Sequence, residues 1–159
     1  MAKFDELNKN INNVLFKLIE SQNLCKLLLY PTNDALSQPD ISDTSSLLFE
    51  RIYPLPKIPD PVSETGSFLT VLFDSFQLGN NVGTKQGLLT FVVIVHIDSW
   101  RMEGTGMLRP FAIMNEIDKL FNQERVIGVK KIDINDGRLI KMNDKFWGYE
   151  LNYRIVNGN

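Results

Sequence analysis

The stretch Lys145–Val156 reads KFWGYELNYRIV, and its alternation decides the fold. Trp147, Tyr149, Leu151, Tyr153 and Ile155 occupy every second position, with Gly148, Glu150, Asn152 and Arg154 between them. Successive side chains of a strand point to opposite faces, so one face here is aromatic and apolar and the other polar. The segment lies near the end of the sequence, where backbone frays unless something ties it down. It is expected to be the last strand of a sheet, with its odd positions packed on helices. Its even positions are polar enough to line an interface or a lumen.

Working back from this strand, Val129, Ile132 and Ile134 begin one strand and Leu139, Ile140 and Met142 another. Asn135-Asp136-Gly137 between them has the composition of a tight hairpin, and Asn143-Asp144 turns the chain again. Further back, Phe111, Met114, Ile117 and Phe121 recur at helical spacing, with Ile113 and Leu120 beside them. Pro110 suits the first turn of that helix, and Gly128 its close. Phe68–Phe76 and Leu88–Trp100 are rich in branched and aromatic residues and read as strands. The second is apolar at nearly every position from Phe91 to Ile97, as expected of a central strand. QLGNNVGTKQG, between them, suits a hairpin connection.

At the start, Phe4, Leu7, Ile11, Val14 and Leu18 step by three and four, with Leu15 and Ile19 widening the stripe. That spacing predicts an amphipathic helix over Asp5–Glu20. A short helical piece is expected over Leu24–Tyr30, stopped by Pro31. Thr32–Ser46 is crowded with serine, threonine, aspartate and asparagine and reads as a loop with at most a short turn. The order is helix, loop, two strands, helix, three strands. It implies a single α+β domain over residues 1–159, with a mixed, mainly antiparallel sheet of about five strands packed by two main helices.

One segment stands apart. RIYPLPKIPDP holds four of the seven prolines between Pro54 and Pro61. Proline cannot donate to a sheet ladder, so residues of about 50–64 should form an extended arm. Tyr53, Pro54, Leu55, Pro56, Ile58 and Pro59 need a surface. Two are available: the arm's own domain, or a neighbouring subunit, for which a preorganised extended chain loses little entropy.

The 159 residues are 43% hydrophobic and 23% charged with a net charge of −2, the profile of an ordinary globular domain without a global basic field for nucleic acid. Lys130, Lys131, Arg138 and Lys141 form at most a local patch that could touch phosphates. Cys25 cannot pair within the chain and sits in an apolar run, which predicts a small buried hydrophobe and a reducing compartment. No apolar stretch has membrane-spanning length, so no membrane partner is expected, and MAKFDELNKN lacks the pattern of a secretory signal.

Chemistry is sparse. His96, the single histidine, lies in the most apolar strand, and no histidine–cysteine ligand set accompanies it. Asp74 and Asp98 fall near predicted strand ends, an arrangement that can hold a divalent cation in nucleases and resolvases. Glu116 and Asp118 diverge by about 200° around a helix, so they do not share a site. Gly79 to Lys85 resembles a phosphate loop but fails its spacing. No catalytic, metal or cofactor residue is assigned, and a non-enzymatic role is expected.

The N-terminal helix, the strand pair, the helix Arg109-Pro110-Phe111-Ala112-Ile113-Met114-Asn115-Glu116-Ile117-Asp118 and the final GYELNYRI together resemble tail terminator and neck proteins of tailed bacteriophages. The resemblance spans Phe4 to Val156 and rests on element order. It implies a virion subunit, assembled in the host cytoplasm, that closes into a ring, usually of six copies. Such a ring stops the tail tube and meets the connector or stopper beneath the capsid, and genome DNA passes through its lumen without specific binding. The implied partners are therefore further copies of the chain, the tube protein and the connector. On this reading the arm residues above, together with Glu150, Asn152 and Arg154, are the candidate interface. A metal-dependent nuclease using strand-end aspartates, or another neck adaptor such as a stopper, is the alternative.

Overall fold

A computed structural model describes residues 3–78, 84–104, 106–127 and 130–156. The fold is α+β, with three helices and a curled mixed sheet of six strands. Helix α1 spans Lys3–Leu18 and α2 spans Gln22–Leu29. Ser21 caps α2, accepting the Leu24 N–H at 3.1 Å. Strand β1 (Ile52–Tyr53) is followed by β2 (Ser67–Leu78) and β3 (Thr84–His96). Helix α3 (Arg109–Phe121) leads to β4 (Arg125–Ile127), β5 (Lys130–Lys141) and β6 (Phe146–Val156). Pro110 sits in the first turn of α3 as expected. The helix is left through Asn122, with Gln123 at φ 65, before the position of Gly128, which lies outside the described residues. The glycine-rich connection 79–83 also lies outside them.

The sheet order is β1-β2-β3-β6-β5-β4, parallel between β1 and β2 and antiparallel elsewhere. Strand β3 is central as predicted, pairing β2 on one side and β6 on the other. The sheet gains its sixth strand from two short edges, β1 and β4, that the sequence pattern does not announce. The Leu88–Trp100 strand ends at His96, and Ile97–Ser99 forms a 3-10 corner.

The predicted Asn135-Asp136-Gly137 hairpin is not formed. Residues 130–141 are one strand along β6, and the register slips by one residue between Ile134 and Asp136. Turn-forming residues here make a β-bulge. Before it, Ile132 and Ile134 share the helix-packed face with Ile155 and Tyr153; after it, Gly137 and Leu139 do, and Asp136 and Arg138 turn to the other face. A second bulge, between Phe73 and Ser75 of β2, brings Phe76 to the helix side, where its ring meets Phe4 edge-on at 6.5 Å.

The main core lies between the helices and one face of the sheet, around Val14, Leu18, Leu27, Val71, Phe91, Ile113 and Tyr153. A smaller core on the opposite face joins Phe68, Ile94 and Phe146. Gly148 lets β6 and β3 approach there: a Cβ on it would overlap the Val93 carbonyl. The 32–46 segment is more ordered than a bare loop. It contains 3-10 turns at Ala35–Ser37 and Thr44–Leu47. It is tied to α2 by two hydrogen bonds of 2.9 Å between the Gln22 amide and the Ile41 backbone.

Arg109 joins these parts. Fully buried at the start of α3, its guanidinium donates to the carbonyls of Ser99, Leu27, Tyr30 and Thr32 at 2.6–2.9 Å. Burial pushes its pKa down to about 10, and four oxygen acceptors hold the cation through the neutral range. Leu27 and Tyr30 belong to the end of α2, where carbonyls lack helical partners, so one side chain satisfies several orphan acceptors.

Candidate subunit and partner interface

The arm and the β6 polar positions, predicted separately, lie on one face of the sheet, opposite the helices. The arm covers one end of that face. Tyr53 packs on Phe68 with ring centroids 6.3 Å apart, and its hydroxyl donates to the Glu50 carbonyl at 3.1 Å. Lys57 lies over both rings, 5.4 Å from Tyr53 and 5.3 Å from Phe68, and pairs with Glu64 at 3.0 Å. Pro59 is buried, and its carbonyl accepts from the Asn143 amide at 2.9 Å, which anchors the arm to the β5–β6 turn. Of the two surfaces available to it, the arm lies on its own domain. The seat is loose: a cavity of about 220 Å³ remains among Pro56, Ile58, Thr70, Leu72, Val92 and Met142.

The arm's outer side remains open. Pro54 is half-buried and Pro56 exposed. Leu55 is 43% exposed, Ile58 68% and Val62 93%, so the arm's outer side is an apolar crest. Asp60 lies on this crest. Backbone N–H donors of Val62 and Ser63 hold its carboxyl below the usual carboxylate range.

The rest of this face is a ladder of paired polar groups. Arg138 donates to Glu150 at 2.7 Å, and Arg154 forks onto Asp133 at 2.8 and 3.3 Å. Asn152 accepts from the Thr90 hydroxyl at 2.6 Å and donates to Asp136 at 2.7 Å. Each candidate on β6 therefore has its partner inside the chain: Asp133 before the β5 bulge, Asp136 and Arg138 that the bulge turned to this side, and Thr90 on β3. Three carboxylates face two guanidiniums, a nearly neutral and well-solvated surface. A satisfied ladder can pass a polyanion without holding it, because retention needs unpaired cations.

The opposite face revises the reading of the opening stripe. Tyr153 and Ile155 are buried, but Trp147, Tyr149 and Leu151 are only half-buried, so the stripe is fully covered at one end alone. Helix α3 meets β5 at its Ile132 end, where Asn122 accepts the Ile134 N–H at 3.2 Å, and leaves the far side chains of β5 uncovered. Phe111 stacks on Tyr149 at 5.1 Å and stays 45% exposed, beside Leu139 at 53% and Ile134 at 43%. A groove of about 410 Å³ runs between α3 and β5, with Met114 and Leu151 in its walls and Tyr153 at its base. Residue alternation locates this stripe on the helix side, but it carries no information on how far a helix extends over it.

The catalytic alternatives do not assemble. Asp74 sits at the β2 bulge and Asp98 in the 3-10 corner at the other end of the sheet, about eight strand residues or ~25 Å apart. Glu116 pairs with Lys119 while Asp118 accepts from the Tyr153 hydroxyl at 2.8 Å, so the two acids diverge as their spacing requires. His96 is buried, edge-on to Phe146 at 5.1 Å, with Nδ1 accepting the Asp98 N–H. Cys25 is buried, and burial pushes its thiol up to about 11, away from thiolate chemistry. Among the described residues, no three of histidine, cysteine, aspartate and glutamate converge on one point, and no helix is long and apolar enough to cross a membrane.

No curated protein and no solved structure matches the chain. A family model does match, over residues 21–155, which covers α2, the arm, the whole sheet up to Ile155 and both exposed surfaces. The chain belongs to the YomW family, a phage-derived family.

Proposed function

We propose that this chain is a structural virion protein of the phage neck, building a ring that terminates the tail tube and joins it to the head connector. The observation that carries the reading is the pair of unburied apolar surfaces on opposite faces of one sheet. A subunit of this size gains stability from covering such surfaces, and a ring covers both at once through a single repeated contact. Membership of a phage-derived family supports the same reading. So does the α+β layout, whose strands and arm give the ring wall rigid parts.

The paired ladder of Glu150, Asn152 and Arg154 with β5 is suited to face the lumen. Six copies is the number the resemblance implies. The two axial ends would meet the tube protein and the connector or stopper. The test is to add the purified chain to isolated tails and image the head-proximal end by negative stain. A ring capping the tube is the expected result, and a chain that stays monomeric and never joins tails contradicts the proposal. Replacing Asp133, Asp136 and Glu150 with lysine should slow DNA ejection; unchanged ejection would remove the ladder from the lumen.

A further inference from the structure

The arm crest and the α3–β5 groove are both apolar, both exposed, and on opposite faces of the sheet. No movement of the arm about its anchor at Asn143 brings the crest of a chain into its own groove. A second copy can do so without rearrangement. We infer that the crest formed by Leu55, Ile58 and Val62 of one copy seats in the groove between α3 and β5 of the next. This deepens the ring reading above and rests on it.

Shape, length and charge agree. The crest is an exposed extended segment stiffened by prolines, and the groove is an open, mainly apolar depression of about 410 Å³. Leu55 to Asp60, extended at about 3.1 Å per residue, spans roughly 16 Å. On the facing surface, Ile134 lines the groove and the exposed Leu139 lies beyond it on β5, roughly 17 Å away at about 3.3 Å per residue. Asp60 sits on the crest between Ile58 and Val62, as a carboxylate fixed by two N–H donors. Lys141, further along β5 on the same face, holds its exposed ammonium 5.2 Å from the Trp147 ring and 3.7 Å from the exposed Asp144 carboxylate. The contact joins two different surfaces, so it is heterologous, and repeated rotation closes it into a ring. The arm already lies down on its own sheet, so little ordering entropy is lost on docking.

The test mixes two differently tagged chains, Ile58→Cys and Leu139→Cys, under oxidation. Cys25 is buried and does not compete. The expected product is a disulfide between the two tags, with few bridges in either chain alone. Ile58→Asp and Leu139→Asp should each raise the midpoint concentration for assembly at least about tenfold. Both positions are exposed, so thermal unfolding should be unchanged and folding failure does not enter. If the chain assembles but only same-position bridges form, or the aspartates leave assembly untouched, the crest–groove contact is wrong and the ring reading stands. If the chain remains monomeric both alone and with tails, both are wrong.

Discussion

Tyr153 and Trp147 lie on one stripe of one strand, yet different surroundings decide what each can do. At the Tyr153 end, α1 and α3 close over the sheet. The phenol is fully buried, edge-on to Phe91 at 5.6 Å, and bonded to Asp118 on α3. Burial, then that bond, pushes its pKa above the ordinary phenol range. At the other end Trp147 is only half-buried, flanked by Val95 on β3 and by Lys141 on β5, whose ammonium lies 5.2 Å from its ring. The alternation is identical. The closed end supplies stability, and the open end leaves apolar surface exposed.

Mutations at the two ends should separate those roles. Tyr153→Ala should destabilise the chain by about 4 kcal/mol, since it opens a cavity beneath α3 and strips Asp118 of its donor. Chemical denaturation measures it, and a loss under about 1 kcal/mol would mean that the closed end is not closed. Next comes the pin that holds α3 in place. Arg109→Met should cost about 3 kcal/mol, because carbonyls of Leu27, Tyr30, Thr32 and Ser99 lose their donor. Arg109→Lys should recover only part of it, since an ammonium cannot span four acceptors.

A smaller effect appears in alkali. Cys25 has its thiol pushed from 9.0 up to about 11, so the unfolded chain releases that proton first. Stability is complete below pH 9 and falls as pH rises toward 11. Arg109, pushed down to about 10, acts with the opposite sign at higher pH. The raised Tyr153 phenol adds to the same-sign loss toward pH 10, so the cysteine dominates only just above pH 9. Cys25→Ala should flatten the stability profile in that window, as measured by thermal melts across pH. At the open end, Leu139→Ser should change monomer stability by less than about 0.5 kcal/mol. A larger loss would show that β5 is already covered within the chain.

The contrast also marks what the sequence could disclose. Period and parity suffice for α1, for α3, for the central β3 and for the two faces of β6, because each is a property of local spacing. They do not distinguish a hairpin from a bulge at Asn135-Asp136-Gly137. Both use the same turn-forming residues, and the choice follows from β6 being long enough to pair with all of β5. The arm was legible as extended, whereas its path depends on Asn143, 84 residues away from its partner Pro59. Glu150, Asn152 and Arg154 were legible as a polar face. That Glu150 and Asn152 meet Arg138 and Asp136 depends on the bulge, whereas Arg154 meets Asp133 from before it. Arg109 gave no local signal of its burial, because its acceptors at Leu27, Tyr30 and Thr32 lie 77–82 residues back. The open groove was hidden for a similar reason: alternation assigns a face but not the end of the helix that covers it.

The most direct test of the account is the mass of the assembled species, measured by native mass spectrometry on wild type and on Leu139→Asp, alone and with purified tails. The account predicts one closed wild-type species of about six 18.2 kDa chains, formed alone or on tails, and a folded monomer for the variant. A wild-type chain that remains monomeric in both settings, or a variant that assembles as well as wild type, would contradict it.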